Sequence, residues 1–187
     1  MDFSTVLMAT AVVVILALWF ALHAYNRLVR LRNNIRNAWS DVDVQLTLRH
    51  DLVPNLVESV KGYMNHERET LEAVAQARSA AMGAGADVAA RAAAELALGS
   101  AIGNLFVTAE RYPDLKASQN FLLLQEQLTT TENRIAFARQ HYNETVRKFN
   151  TLIAEFPWNL MAGKFGYAPE KMFAAEPQDR VKVQVAS

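Results

Sequence analysis

Residues 121–156 read FLLLQEQLTTTENRIAFARQHYNETVRKFNTLIAEF, and this stretch decides the fold. Phe121, Leu128, Ile135, Tyr142, Phe149 and Phe156 recur every seven residues, with Leu124, Ala138 and Leu152 three places after members of that set. A seven-residue apolar repeat is the seam of a helix that packs lengthwise on other helices. The spacing predicts a helix over Ser118 to Phe156, about 58 Å long at ~1.5 Å per residue, stopped by Pro157.

Working back from it, Tyr112-Pro113-Asp114-Leu115 is a turn signal, and before it ADVAARAAAELALGSAIGNLF predicts an alanine-rich helix from Asp87 to Arg111. Arg91 and Glu95 are the charges in that run after Asp87, while Gly99 and Gly103, four apart, point to tight helix packing. Gly83-Ala84-Gly85-Ala86-Asp87 is the plainest break, with Asp87 as a cap. A helix over His66 to Met82 precedes it, with Asn65 as its cap and Gly62 as the left-handed stop of the helix before. In that first helix Leu28, Leu31, Ile35, Ala38 or Trp39, Val42, Leu46, Leu52, Leu56 and Val60 keep one apolar phase across Pro54, which reads as a kink within one helix. The four helices measure about 55, 25, 35 and 58 Å, and these lengths match if the chain runs up, down, up and down. The last helix then ends near the start of the first. The fold class expected is all-α, with an N-terminal transmembrane helix followed by an antiparallel up-down-up-down four-helix bundle.

The transmembrane helix is read from Val6 to Ala24, VLMATAVVVILALWFALHA, which holds no Lys, Arg, Asp or Glu. About 20 apolar residues cross the ~30 Å hydrocarbon core, and this run just reaches that length with Phe3 and Thr5. A cleaved signal would have a basic start and a small-residue cleavage site, and neither is present, so the anchor is read as uncleaved. Trp19 and Tyr25 mark the headgroup level, and Arg27, Arg30, Arg32 and Arg36 all precede the first following acid, Asp41. The positive-inside rule places the bundle in the cytoplasm and the N-terminus outside, in a single pass through the bacterial inner membrane. Three segments result: residues 1–24 with the span, 25–173 with the bundle and a C-terminal aromatic hook, and 174–187 as a mobile tail, whose VKVQVAS could add a strand to a partner's edge.

Lys plus Arg equals Asp plus Glu at 19 each, which gives no basic field for nucleic acid. With no Cys there is no disulfide, thiolate nucleophile or Cys-based metal site. The residues three before His23, His50, His66 and His141 are Phe20, Thr47, Tyr63 and Ala138, so no Glu-x-x-His di-iron pair exists. His66-Glu67 lacks the second zincin His, position 70 being Thr70, and there is neither a P-loop nor a G-x-S-x-G elbow. No catalytic residue, metal ligand or cofactor site is assigned, and the protein is not expected to be an enzyme.

Polar residues nevertheless fall on or beside the apolar seams: Gln45 and Arg49 on the first helix, Thr131, Glu132 and Arg139 on the last. Gln45, Arg49, Glu132 and Arg139 read as an interhelical polar network that fixes register, Arg49 with Glu132 for instance, or as the lining of a ligand pocket. Beyond Pro157, Trp158, Leu160, Phe165 and Tyr167 belong to an aromatic hook that closes the end of the bundle, meets the headgroups, or forms an interaction surface for a neighbouring subunit.

The segments YNRLVRLRNNIRNAWSDVDVQLTLRHDLVPNLVESVKGY (25–63), YPDLKASQNFLLLQEQL (112–128), TENRIAFARQHYNETVRKFN (131–150) and FPWNLMAGKFGY (156–167) resemble the bacterial LemA family. The order DVQL, RHDLVPNLV, TENRIAFAR and FPWNL carries the likeness, and it covers nearly the whole chain, anchor included. The resemblance implies a membrane-anchored cytoplasmic helical bundle without established catalytic residues, and a link to membrane organisation, including formation of magnetosome membranes in some relatives. Residues and resemblance together lead to one expectation: a membrane-anchored scaffold or adaptor that self-associates or recruits partners at the cytoplasmic face. Its partners would be the lipid bilayer, further copies of itself and proteins still to be identified. The competing expectation is a ligand-sensing or catalytic bundle built on Arg49, Glu132 and Arg139.

Overall fold

The computed structural model describes residues 2–64 and 66–173. Among these every regular element is helical: α1 (Phe3–Lys61), α2 (Arg68–Gly83), α3 (Val88–Ala109), α4 (Pro113–Lys116), α5 (Gln119–Ala154) and α6 (Trp158–Lys164). The cap expected at Asn65 and the tail from residue 174 lie outside the described residues.

The first helix is the longest, and it passes through Pro54 without a break. Pro54 lacks the amide that would bond the His50 carbonyl, and the Arg78 side chain donates to that carbonyl in its place at 2.8 Å. Lys61 lies in the last turn. Gly62, expected as a left-handed stop, is not among the positive-φ glycines, which are Gly85 and Gly166. Instead the amides of Tyr63 and Met64 both donate to the Val60 carbonyl, at 3.0 Å each, and close the helix without a left-handed residue. Asp87 caps α3 as expected, accepting from the Ala90 amide at 3.1 Å, and Gly85 takes φ +68° in the turn before it. The Tyr112–Leu115 turn is in fact a single helical turn, α4, because Pro113 at its first position has φ preset for a helix. At the C-terminal end α5 stops at Ala154, so Phe156 leaves the heptad seam and is 79% exposed.

The chain divides into two compact units. One comprises residues 1–38 and 144–170. Here the first part of α1 packs its Ala24, Leu28 and Ile35 inward, the end of α5 contributes Val146, Phe149, Leu152 and Ile153, and Ala162 of α6 is buried. Phe149 meets Tyr167 edge-on at 6.0 Å. Asn150 holds the backbone of Glu170 from both sides, donating to its carbonyl and accepting from its amide at 2.9 Å each.

The other unit comprises residues 39–143 and the chain from Lys171. Its core runs from Val53, Leu56, Val60 and Met64 of α1 and the loop after it, through Val74 of α2 and Leu98, Ile102 and Leu105 of α3, to Phe121 and Leu128 of α5. The heptad positions of α5 thus do face inward. α3 is long and apolar enough to cross a bilayer, yet it packs against α2 and carries a buried carboxylate, Glu95. It is a core helix of the kind an alanine-rich sequence builds. Of its two glycines, only Gly99 faces a neighbour: a Cβ there would lie 3.5 Å from the Arg49 guanidinium, whereas one at Gly103 meets nothing within 4 Å. The tight packing expected of the pair is therefore confined to Gly99, and what fills the space is a cation.

Four cross-helix pairings within this unit fix local directions. Asp43 meets Arg91 and Arg49 meets Glu95, so α1 and α3 advance together. Trp39 stacks edge-on with Tyr142 at 5.3 Å while Arg49 meets Glu132, so α1 and α5 run oppositely.

Candidate functional site

Two features stand out, one in each unit. In the first, the opening of α1 is an apolar run whose most hydrophobic 18-residue window has none of its residues buried. Leu7, Val13, Ile15, Leu16, Leu18 and Leu22 all face outward. Bare aliphatic side chains around a whole helix are a surface suited to hydrocarbon, not to water. At the end of this run the aromatic residues gather. Trp19 is exposed and stacks on His23 at 5.5 Å. Phe20 meets Trp158 of α6 at 5.6 Å, and Tyr25 meets Phe165 edge-on at 5.1 Å. The Arg27 guanidinium covers the Trp158 ring at 5.0 Å, and that of Arg32 covers Tyr167 at 5.6 Å while its Nε lies 3.8 Å from a Glu170 oxygen.

Arg27, Arg30, Arg32 and Arg36 are all exposed, and of these Arg27 and Arg32 also lie over rings of the same unit. Trp158, Leu160, Phe165 and Tyr167 likewise separate: Trp158 and Tyr167 are half-buried against this junction, and Leu160 and Phe165 stay exposed. Within this unit the segment that follows α5 meets the first helix, through Trp158 with Phe20 and Arg27 and through Phe165 with Tyr25.

In the second unit the polar seam is a buried ionic cluster. Arg49 is 3% exposed, and its two terminal nitrogens each hold a carboxylate oxygen at 2.6 Å, one on Glu95 and one on Glu132. It also donates to the Glu95 carbonyl at 3.2 Å. His50 Nε2 straddles the Glu95 carboxylate, 3.0 Å from one oxygen and 3.2 Å from the other. Burial alone would raise the Glu95 carboxyl; the hydrogen bonds from His50 and Arg49, with their charges, outweigh it and hold it below the usual carboxylate range. Arg78 of α2 donates to the His50 carbonyl at 2.8 Å, tying a fourth helix to this point.

Sequence reasoning found Arg49 with Glu132, and missed the deeper partner. Glu95 was visible as a lone acid on an alanine-rich helix, which was the signal available. Gln45 does not join: its Oε1 is buried without a hydrogen-bond partner among the described residues. The Arg139 guanidinium lies 4.7 Å above the ring of Phe173. Phe173 is itself buried and pinned by Asn143, which donates to its carbonyl at 3.1 Å and accepts from its amide at 2.8 Å. Between cluster and ring lies a cavity of about 270 Å³ walled by Arg49, Glu95, Ser100, Glu132, Arg139 and Phe173. No set of three or more His, Asp or Glu side chains among the described residues is placed to hold a metal.

An exposed apolar helix leading into helices with a buried ionic core defines a membrane-associated, all-helical protein. Comparison with known sequences specifies the family. The LemA family model matches residues 38–186. Protein LemA of Metamycoplasma hominis is 30% identical over 161 residues, covering 86% of this chain and 74% of that protein. Magnetosome protein MamQ 2 of Paramagnetospirillum magneticum is 30% identical over 79 residues, which is 42% of this chain and 29% of its own length. Magnetosome protein MamQ of Magnetospirillum gryphiswaldense is 28% identical over 79 residues. The chain belongs to the LemA family.

Proposed function

We propose that the chain is a membrane-anchored helical scaffold or adaptor, which self-associates or recruits partner proteins at the cytoplasmic face of the bacterial inner membrane. The observation that carries this is the unburied apolar run of α1, which ends at Trp19, Tyr25 and the first arginines within one continuous helix. Such a helix holds a protein at a bilayer, and arginines that follow the span favour the cytoplasmic side. The polar unit is read as an up-down-up-down four-helix bundle of α1, α2, α3 and α5. The directions supporting this are Asp43 with Arg91, Trp39 with Tyr142, and Glu67 before α2 with Arg111 after α3 at 2.9 Å. A bundle whose buried charges are mutually neutralised offers register and rigidity more readily than chemistry. The relatives named magnetosome proteins support a role tied to membrane structure, matched here over less than half of the chain.

The second reading is a small-ligand site in the cavity beside Arg49, Glu95 and Glu132, favoured by its volume of about 270 Å³ and its charged walls. One experiment separates the two: electron microscopy of the full-length protein reconstituted in lipid vesicles. The scaffold reading expects assemblies on the membrane, with vesicles deformed or tethered. Dispersed monomers on undistorted vesicles would overturn it. A C-terminal tag protected from protease in spheroplasts checks the orientation, and cleavage there would reverse it.

A further inference from the structure

Val44, Leu48 and Leu52 stand four residues apart on α1 and so form one ridge, while Leu123, Thr130 and Phe137 recur every seven residues along α5. Between these lines runs a shallow groove of about 400 Å³, lined by Leu48 and Leu52 on one side and by Leu123, Gln127, Thr130 and Arg134 on the other. Both rims are bare: Phe137 is 78% exposed, Val44 is 59% exposed, and Leu48 and Leu123 are exposed as well. The two helices keep one register along this face. Trp39 meets Tyr142 and Arg49 meets Glu132, a step of ten residues on each helix in opposite directions. Val44, five residues past Trp39, is therefore level with Phe137, five before Tyr142. By the same count Asp51 is level with Thr130, about 6 Å along the helix from Arg134. Asp51 and Arg134 are both exposed, and neither forms an ion pair among the described residues.

A second copy fits this face under one constraint. α1 is a single helix from the apolar run to Lys61, so two copies anchored the same way in one membrane have parallel α1 helices. The two-fold axis that relates them then runs along the helices and keeps every residue at its own height. Rotation about such an axis in front of the groove also exchanges its two rims, which sets α1 of each copy against α5 of the other. Residues that are level within a copy become level between copies. Each Phe137 meets the other copy's Val44 and Leu48, and each Arg134 comes within about one helical turn of the other copy's Asp51. Apolar rim meets apolar rim and the unpaired charges find opposite partners, in an isologous interface where residue i meets j and j meets i.

We propose that the groove between α1 and α5 is the self-association surface, and that its occupant is a second copy of the chain, bound in parallel about an axis along the helices. This rests on the self-association in the proposed function and gives it a site. With no Cys in the chain, single cysteines report the register directly. A disulfide needs Cα atoms within about 7 Å, whereas Phe137 and Leu123 lie ~21 Å apart along α5. In detergent micelles, full-length Val44→Cys protein mixed with Phe137→Cys protein should therefore oxidise to a mixed covalent dimer roughly tenfold faster than when mixed with Leu123→Cys protein. In Cys-free protein, Asp51→Arg and Arg134→Asp each set like charges together twice per dimer and should each weaken it about tenfold by light scattering. The double variant should restore the dimer, because both copies then carry the reversed pair. Both positions are exposed, so all three variants should keep the wild-type helix content by circular dichroism. Equal cross-linking of the two mixtures, or no rescue by the double variant, overturns the surface. If the wild-type chain is nonetheless oligomeric, self-association stands and has another site; if it is monomeric, the surface and the self-association both fall.

Discussion

Arg49 shows how a single residue can fix a register. A buried guanidinium is costly to desolvate, and this one is offset only because two carboxylates and a carbonyl converge on it from α3 and α5. Removing the cation alone leaves Glu95 buried with its charge opposed by His50 only. Arg49→Met is therefore expected to destabilise the fold by about 3–5 kcal/mol in chemical denaturation, the usual cost of stranding one member of a buried pair. The compensating change belongs at Glu95 and not at Glu132, because Glu132 is the outer partner, its side chain 41% exposed, and Glu95 is the inner one at 3%. Arg49→Met with Glu95→Leu should recover most of the loss, and a double variant no more stable than the single would show that the cluster's worth lies outside this pair.

At the scale of elements, legibility followed the length of the repeat. Leu28 to Val60 and Phe121 to Phe149 reported their buried faces correctly because each apolar period is sampled many times, and errors at one position do not shift the phase. Ends were harder. Phe156 obeys the heptad by number but lies past the helix, since Pro157 ends the ladder before the seam is used up. Gly62 looked like a left-handed stop, yet two amides sharing the Val60 carbonyl did that work. Partners distant in sequence were hardest of all, because nothing local in an alanine-rich stretch says that Glu95 will face Arg49. The same holds for Asn143 and Asn150, seven apart on α5, which read as ordinary helix-surface amides. Each instead clamps a backbone residue of the last segment in its own unit, Phe173 and Glu170 respectively. Asn143→Ala removes both hydrogen bonds to Phe173. The expected result is a loss of about 1–3 kcal/mol of local stability, seen as faster amide hydrogen exchange at Phe173 while the amides of the α5 core keep their protection. Unchanged exchange at Phe173 would mean that burial of its ring, not the clamp, holds the segment.

For the whole molecule, the question is where the bilayer surface meets the protein, and the chain's 3 tryptophans provide the means to ask it. Trp158 is half-buried between Phe20, at the end of the apolar run, and Arg27, whose cation covers its ring. An indole held between a phenyl ring and a guanidinium suits the headgroup boundary, where one side of the ring is dry and the other charged. Leu160 and Phe165, exposed nearby, would then rest at the same depth. Replacing Trp19 and Trp39 by Phe leaves Trp158 as the sole indole. In vesicles of the full-length protein its emission should be quenched several-fold more by lipids brominated near the ester end of the chain than by lipids brominated near the terminal methyl. Adding anionic lipid should favour this placement through Arg27, Arg30 and Arg36, at up to about 1 kcal/mol for each cation near the surface. Quenching by neither lipid would separate α6 from the bilayer and leave Arg27 a purely intramolecular partner of Trp158, in which case the membrane contact would end with the apolar run itself.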